Sequence, residues 1–529
     1  MQTSNKKILW VDDEIELLRP HIILLEQRGY DVITSTNGSD AIEIIKNTNV
    51  DLIFLDEMMV GMSGLETLVR IRELNDKIPV VMATKNEAES LMEEAIGNKI
   101  NDYLTKPINP TQVLLVCKKF FDANRIEKEK FTQDYLRDFS QISAQMLSPL
   151  NWSEWKEIYS KLVNWSIDLD HFQNEEGLRE TLSGKWHECN LEFSRFVESN
   201  YTKWVEHPDN NRDDNNPIMS PHLLDEYLLP ILKNQEKNVY LIVIDCLRLD
   251  QWLVLKDMLS PYYSFKNSLY CSILPTATPY ARNSLFAGLY PADIKKYYPQ
   301  FWNVDSNSED HRQNAYEKDL LELWIKRRNL SHVKKQSFLK IFDTEFGKKI
   351  EREFERYMND NLTTIVINAV DMIAHSRSDY AILKEIAPDE SAYRALTKSW
   401  FSFSSLFNIF KIISNQKNAK VIVTTDHGAI RCMRGIKVLG DKETSTNLRY
   451  KFGKNVNSDS KGAFQMTDPS KFRLPKTGLT ISNLFAKEDF YFVYPTDYHY
   501  YMNKFRDSFQ HGGISLEEMI IPISILEPK

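Results

Sequence analysis

Three short runs of β-branched and apolar residues, each leading into an acid or an imidazole, constrain this chain more than anything else in it. Val239-Tyr240-Leu241-Ile242-Val243-Ile244 leads to Asp245. Thr364-Ile365-Val366-Ile367-Asn368-Ala369-Val370 leads to Asp371 and His375, and Lys420-Val421-Ile422-Val423-Thr424-Thr425 to Asp426-His427. Near-continuous runs of this kind read as parallel strands buried on both faces. In an open α/β sheet, ligands bind in the crevice beyond the strand carboxyl ends. Side chains from three strands are therefore expected to meet there. With Thr278 and His511 they make seven groups able to hold two metal ions, all oxygen or nitrogen donors. Such a set suits Zn²⁺, with Mn²⁺ as the chemical alternative.

A chain of 529 residues exceeds what one core can organise, and a prior of about 150 residues per domain gives three or four units. Its net charge of −8 argues against a general nucleic-acid-binding surface, although a local basic groove is compatible with it. No apolar stretch approaches the ~18 residues of a membrane span, and Ile8-Leu9-Trp10-Val11 is too short for a signal peptide. Cys117, Cys189, Cys246, Cys271 and Cys432 are scattered and form no Cys-x-x-Cys pair. Free buried thiols in a reducing cytoplasm are the expectation.

Residues 1–120 alternate strand-like and helix-like segments, which predicts a doubly wound parallel sheet. Strands are expected at Lys7–Val11, Tyr30–Ser35, Asp51–Leu55, Ile78–Ala83 and Asp102–Leu104, with helices at Glu14–Arg28, Ser39–Asn47 and Gly64–Leu74. Asp12 and Asp13 follow the first strand and Asp56 the third, while Thr84 ends the fourth and Lys106-Pro107 follows the fifth. Three carboxylates on one crevice repel unless a hard cation such as Mg²⁺ sits among them. A neighbouring lysine can pair with the oxygens of an acquired phosphoryl group.

Those residues, with Met59-Val60-Gly61-Met62-Ser63-Gly64 after Asp56, resemble a response-regulator receiver domain. The resemblance implies a CheY-like fold with Asp56 as phosphoacceptor and Asp12, Asp13 and Asp56 around Mg²⁺. It also implies Thr84 and Lys106 as sensors of the aspartyl phosphate and Tyr103 as an aromatic switch. The family usually has proline where Val60 stands.

Residues 121–206 read as a helical bundle that could supply a dimer face. Asn151-x-x-Glu154 forms a plausible capping box, and Trp152, Trp155, Tyr159, Leu162 and Trp165 follow at helical spacing. That stripe reads as core rather than as a ligand site. Residues 207–222, rich in Asn, Asp and Pro, read as a linker before the last domain, 223–529.

Within that domain Leu274-Pro275-Thr276-Ala277-Thr278 reads as a loop entering a helix, where backbone N–H groups and the helix dipole can stabilise an alkoxide. Arg282 lies one turn further along the same face and could reach a phosphoryl oxygen. Arg431, Arg434, Lys437, Lys442, Arg449, Lys451 and Lys454 read either as a basic rim for a polyanion or, slightly preferred, as a solvated loop.

Thr276-x-Thr278, Gly288-Leu289-Tyr290-Pro291, Asp371-x-x-x-His375, Asp426-His427-Gly428 and His511-Gly512-Gly513 resemble the alkaline phosphatase superfamily, and the layout resembles its PglZ branch. The resemblance implies an α/β sandwich with two Zn²⁺. One ion takes Asp371, His375 and His511; the other takes Asp245, Asp426, His427 and Thr278. It implies Thr278 as the nucleophile of a metal-dependent phosphodiesterase acting on nucleotides or oligonucleotides. The three-part arrangement resembles PorX-type regulators of type IX secretion. That likeness implies a cognate sensor histidine kinase, a sigma factor and a secretion-motor component as partners, together with phosphorylation-dependent homodimerisation.

Two other classes fit parts of the chain. A non-enzymatic adaptor would use the metals as structural staples but has no chemical need of Thr278. A DNA-binding transcription factor would need a compact helix-turn-helix, whereas Met519–Leu526 reads as a strand.

Overall fold

Alternation of side chains across a pleated strand builds the first sheet in the computed structural model. It contains β1 (Lys7–Val11), β2 (Asp31–Ser35), β3 (Leu52–Asp56), β4 (Val80–Thr84) and β5 (Asp102–Thr105). All pairings are parallel, in the order β2-β1-β3-β4-β5. Leu9, Val11, Ile53 and Leu55 pack into the core on one face, and Ile8, Trp10, Leu52 and Phe54 into the core on the other. The order reverses between β1 and β3, so Asp12 and Asp56 share the crevice at that switch point. The expected helix Glu14–Arg28 is realised as a 3₁₀ turn, Ile15–Leu18, followed by helix Arg19–Gln27. Gly64 opens the helix behind β3, and a Cβ there would lie 2.2 Å from the Asp56 carbonyl oxygen.

The structure describes residues 6–85, 100–121, 123–171, 176–206, 216–234, 238–302, 314–440, 447–458, 461–476 and 481–529. The chain divides into two compact units, Met1–Ser140 and Gln141–Lys529.

In the second unit, helices Trp152–Asp168 and Glu176–Glu206 follow one another. The predicted capping box is present: the Asn151 side chain accepts from the Glu154 amide at 2.9 Å, and Glu154 accepts from the Asn151 amide at 2.7 Å. Trp152, Trp155, Tyr159 and Leu162 are buried, as core residues should be. Residues 207–215 of the expected linker lie outside the described residues. Beyond them the chain is already packed: Met219 bridges to Cys271, and Ser220 is buried and accepts from the Ile273 amide at 3.2 Å.

The large sheet contains β6 (Val239–Ile244), β7 (Tyr263–Cys271), β8 (Gln336–Ile341), β9 (Leu362–Ile367), β10 (Lys420–Thr424) and the C-terminal strand Ile520–Pro528. β10, β6, β9 and β8 run parallel, while the C-terminal strand pairs antiparallel with both β10 and β7. The sheet is therefore mixed, with its parallel part where the β-branched runs predicted it. Its core joins Tyr240, Ile242, Ile244, Ile365, Val421 and Val423 with Phe401, Phe410 and Trp252 from covering helices. All five cysteines are buried and free.

One run was overread. Strand β9 stops at Ile367, and Asn368 leads into helix Ala369–Asp379, so Asp371 stands in a first helical turn rather than at a strand end. Asp371 and His375 are then one turn apart on one helix face.

A buried ion pair braces the loop that carries His511. Arg449 and Glu518 are both fully buried and paired at 2.5 Å; Glu518 also accepts from the Gly513 amide at 2.9 Å and from Ser515 Oγ at 2.7 Å. Glu518→Ala leaves a buried guanidinium uncompensated. The urea transition of the second unit, followed in the full chain, is expected to lose about 3–5 kcal/mol. The double replacement Arg449→Met/Glu518→Met should recover most of that loss.

Candidate active site

Parallel registry between β6 and its two neighbours brings the acids together. Ile244 pairs with Ile367 and Val243 with Thr424, so Asp245, the start of the Asp371 helix and Asp426 emerge side by side. Two groups of ligand-type atoms result, each with its atoms within 4.8 Å of one another: Asp371, His375 and His511, and Asp245, Asp426 and His427. The resemblance implies the same residues, with Thr278 added to the second group.

In the first group the Nε2 atoms of His375 and His511 lie 3.2 Å apart, and 3.3 and 3.5 Å from Asp371 Oδ1. His511 Nδ1 lies 3.3 Å from the Thr276 carbonyl, so that nitrogen is the donor and the Nε2 lone pair faces the acid. Burial, reinforced by His427, pushes the His511 imidazole down to about 3, which keeps it neutral and able to donate electrons. Burial alone would raise the Asp371 carboxyl, but His375 and its neighbouring imidazoles hold it well below the usual range. Asp371 Oδ1 is shielded from solvent yet receives no well-formed hydrogen bond among the described residues.

In the second group Thr278 is the first residue of helix Thr278–Ala287 and is 8% exposed. Its Oγ1 lies 3.0 Å from His427 Nε2 and 3.4 Å from Asp245 Oδ1. His427 Nε2 is 3.8 Å from Asp245 Oδ1 and 3.6 Å from Asp426 Oδ2, and its ring stacks on that of His511 at 4.2 Å. The stack links the two groups. Burial raises the Asp245 carboxyl well above the carboxylate range. The same burial is overcome at Asp426 by Arg282 and His427, which hold that acid low. Arg282 is fully buried and ion-paired with both acids.

The residues present fit a metal ion in each group. A buried carboxylate oxygen within 3.5 Å of two imidazole nitrogens, and two buried acids sharing one imidazole, are donor sets that a divalent cation completes. In the receiver, Asp12, Asp13 and Asp56 form a third such group of oxygen donors, which suits Mg²⁺. Lys106 Nζ reaches Asp12 Oδ2 at 2.8 Å and Asp56 Oδ1 at 2.9 Å. Burial raises the Asp56 carboxyl even though Lys106 opposes it. Thr84 is buried at the end of β4, while Tyr103 is exposed.

Most of the basic segment is not a free rim. Arg431 pairs with Asp507, Arg434 with Glu488 and Asp489, and Arg449 with Glu518, while Lys451 is buried; Lys437 and Lys454 are exposed, and Lys442 lies outside the described residues. Arg434 thereby occupies the one further ligand-type cluster among the described residues, His187 with Glu488 and Asp489. Sequence reasoning missed Glu317 and Lys340, which stand behind Arg282. Glu317 begins a helix, where an acid is an ordinary partner of the dipole, so nothing in the sequence marks it.

Family comparisons divide the chain in three. A model of the response regulator receiver domain matches residues 8–118, one of the PorX response regulator linker domain matches 125–205, and one of the BREX system PglZ alkaline phosphatase-like domain matches 223–525. Among curated proteins the chain is similar to the transcriptional regulatory protein YvrH of Bacillus subtilis, 35% identical over 27% of this chain and 60% of that protein. It is also similar to the alkaline phosphatase synthesis transcriptional regulatory protein PhoP of the same species, 36% identical over 21% of this chain and 45% of that one. The chain thus spans roughly half the length of these relatives. Among solved structures, Vibrio cholerae chemotaxis protein CheY4 is 26% identical, with 22% of this chain and all of that chain covered and a TM-score of 0.22. A CheY-like receiver from Methanospirillum hungatei is 27% identical over 23% of this chain and 99% of that one, with a TM-score of 0.23.

Burial pushes the Lys451 ammonium down to about 7. A lysine depressed on folding destabilises the native state fully below its folded value, and that cost fades as pH rises toward the unfolded value. Lys451→Met is therefore expected to stabilise the full chain clearly at about pH 6 and hardly at all near pH 10, measured by urea unfolding across that range.

Proposed function

This chain belongs to the PglZ alkaline phosphatase-like family and carries that domain in the PorX-type arrangement behind a receiver and a linker; from that footing we propose that it is a response regulator whose output is a phosphodiesterase. A receiver implies a cognate histidine kinase, and an alkaline phosphatase-like domain implies a phosphoesterase-type hydrolase. In the finer reading, the output domain cleaves nucleotide-type diesters with two zinc ions, and phosphorylation of Asp56 governs it. The observation that carries this reading is the buried Thr278 hydroxyl, 3.0 Å from His427 and 3.4 Å from Asp245, at the seam of two cation-fitting clusters.

Asp371, His375 and His511 would hold one ion, and Asp245, Asp426, His427 and Thr278 the other. When bound, such ions supply Lewis-acid polarisation of phosphoryl oxygens and a lowered hydroxyl pKa. Thr278 Oγ1 attacks phosphorus in line, the bond to the leaving alkoxide breaks, and the proton given up by Oγ1 ends on that alkoxide, relayed by water. The product is a phosphothreonine ester, which water then hydrolyses to free the threonine. Burial excludes bulk solvent from the attacking oxygen, and the neutral imidazole of His511 adds no competing positive charge beside it.

In the receiver, Asp56 is read as the phosphoacceptor, with Lys106 placed to pair with phosphoryl oxygens and Thr84 and Tyr103 as the switch pair. Among the described residues no helix is long and apolar enough to cross a membrane. The reading extends to a cytoplasmic regulator of type IX secretion that dimerises on phosphorylation and meets a sigma factor and a secretion-motor component, on the strength of the PorX-type arrangement.

Turnover of bis-p-nitrophenyl phosphate by the zinc-loaded full chain is expected to exceed that of the monoester, and chelation should abolish it. Thr278→Ala should lower kcat at least about a thousandfold, or ~4 kcal/mol, while the ion held by Asp371, His375 and His511 is retained, measured as metal content by mass spectrometry. Faster monoester turnover overturns the diesterase assignment, and no turnover of either ester supports an adaptor instead. Separately, acetyl phosphate with Mg²⁺ should phosphorylate the full chain, seen as a retarded band on phosphate-affinity gels, and Asp56→Asn should remove that band.

A further inference from the structure

We infer that Arg282 is a positioning residue that grips Oδ2 of both Asp245 and Asp426, so that Asp245 Oδ1 is turned to Thr278 and Asp426 Oδ2 is fixed beside His427. This rests on the proposed reading of that cluster as a cation site. Arg282 stands four residues after Thr278 on one short helix, on the same face, and is 0% exposed. A guanidinium with no exposed surface is poorly placed to meet an arriving substrate, but it can orient what surrounds it.

Each of its three nitrogens faces an acid. Nε donates to Asp426 Oδ2 at 3.0 Å, and one terminal nitrogen pairs with Asp245 Oδ2. The other terminal nitrogen lies 3.4 Å from both Glu317 Oε1 and Asn368 Oδ1. The division of labour within Asp245 is the telling detail: Oδ2 faces Arg282, whereas Oδ1 faces Thr278 and His427. Glu317 is itself 1% exposed and paired with Lys340 at 2.9 Å, so the guanidinium is anchored from behind. Three acids, Asp245, Asp426 and Glu317, thus face two cations, Arg282 and Lys340.

The geometry requires a planar fork. Two carboxylates must be gripped at once in fixed directions, which a guanidinium does and an ammonium on a flexible stem does not. Partners of this kind typically change metal affinity 10–100-fold when removed.

The test uses the chelator-stripped full chain titrated with Co²⁺, whose visible absorption reports each equivalent bound. Wild-type chain should take up two equivalents in the output domain, with Asp56→Asn in the background of every protein to remove receiver binding. In Arg282→Met, one equivalent should bind as in wild type and the other about 10–100-fold more weakly, with kcat reduced and KM little changed. Arg282→Lys should show the same selective weakening, because it keeps the charge and loses the fork; it also serves if the methionine variant does not fold. Glu317→Gln should fall between. Two tight equivalents in Arg282→Lys or Arg282→Met overturn the inference alone, as does equal weakening of both equivalents. A wild-type chain that binds fewer than two equivalents removes the cation-site reading and this inference with it.

Discussion

Parallel pairing of β6 with β9 on one side and β10 on the other is the constraint on which the site depends. It fixes which residue of each segment is first to leave the sheet. Because side chains alternate with period two, a slip of one residue in either pairing would send Asp245 or Asp426 to the opposite face. The registry is secured by burial: β6 is buried throughout, so any slip would also mispair Ile242 and Ile244 with their covering helices. Packing of apolar side chains thus sets the distances between charged ones several ångströms away.

Gathering that much charge in a buried place has an electrostatic cost that the surroundings offset in different ways. Asp245 and Asp426 share a guanidinium and an imidazole, and burial drives the first up while the partners hold the second down. Asp371 relies on imidazoles alone. In the receiver, Lys106 performs the same service for Asp12 and Asp56. Both ends of the chain therefore use one device, carboxylates at strand ends with a tethered cation among them.

Much of this was legible in the sequence because the informative residues sit at the ends of apolar runs. Asp12, Asp245 and Asp426-His427 follow, and Asp56 ends, strands that read as near-continuous apolar runs, and the structure gathers these residues into ligand-type groups. Asp371 shows the limit. Asn368-Ala369-Val370 extends the run of β9 without a break, and an apolar residue in the first turn of a buried helix looks like one more strand residue. Arg282 was placed on the correct helix face, yet its burial depends on Glu317 and Asn368, which only tertiary packing brings to it. The basic stretch after His427 misled for the same reason: the acids that pair with it, Asp507, Glu488, Asp489 and Glu518, come from far along the chain. The antiparallel C-terminal strand was visible as a strand but not in its direction.

Asn190, buried on the long helix Glu176–Glu206, bonds at both ends of its amide to the segment that follows His511. Its oxygen accepts from the Leu516 amide at 2.8 Å and its nitrogen donates to Glu517 Oε2 at 3.0 Å. The helix therefore grips, like a clasp, a turn whose start lies five residues from an imidazole of the reaction centre. One buried amide thus ties the linker and the segment after His511 into a single hydrogen-bonded joint.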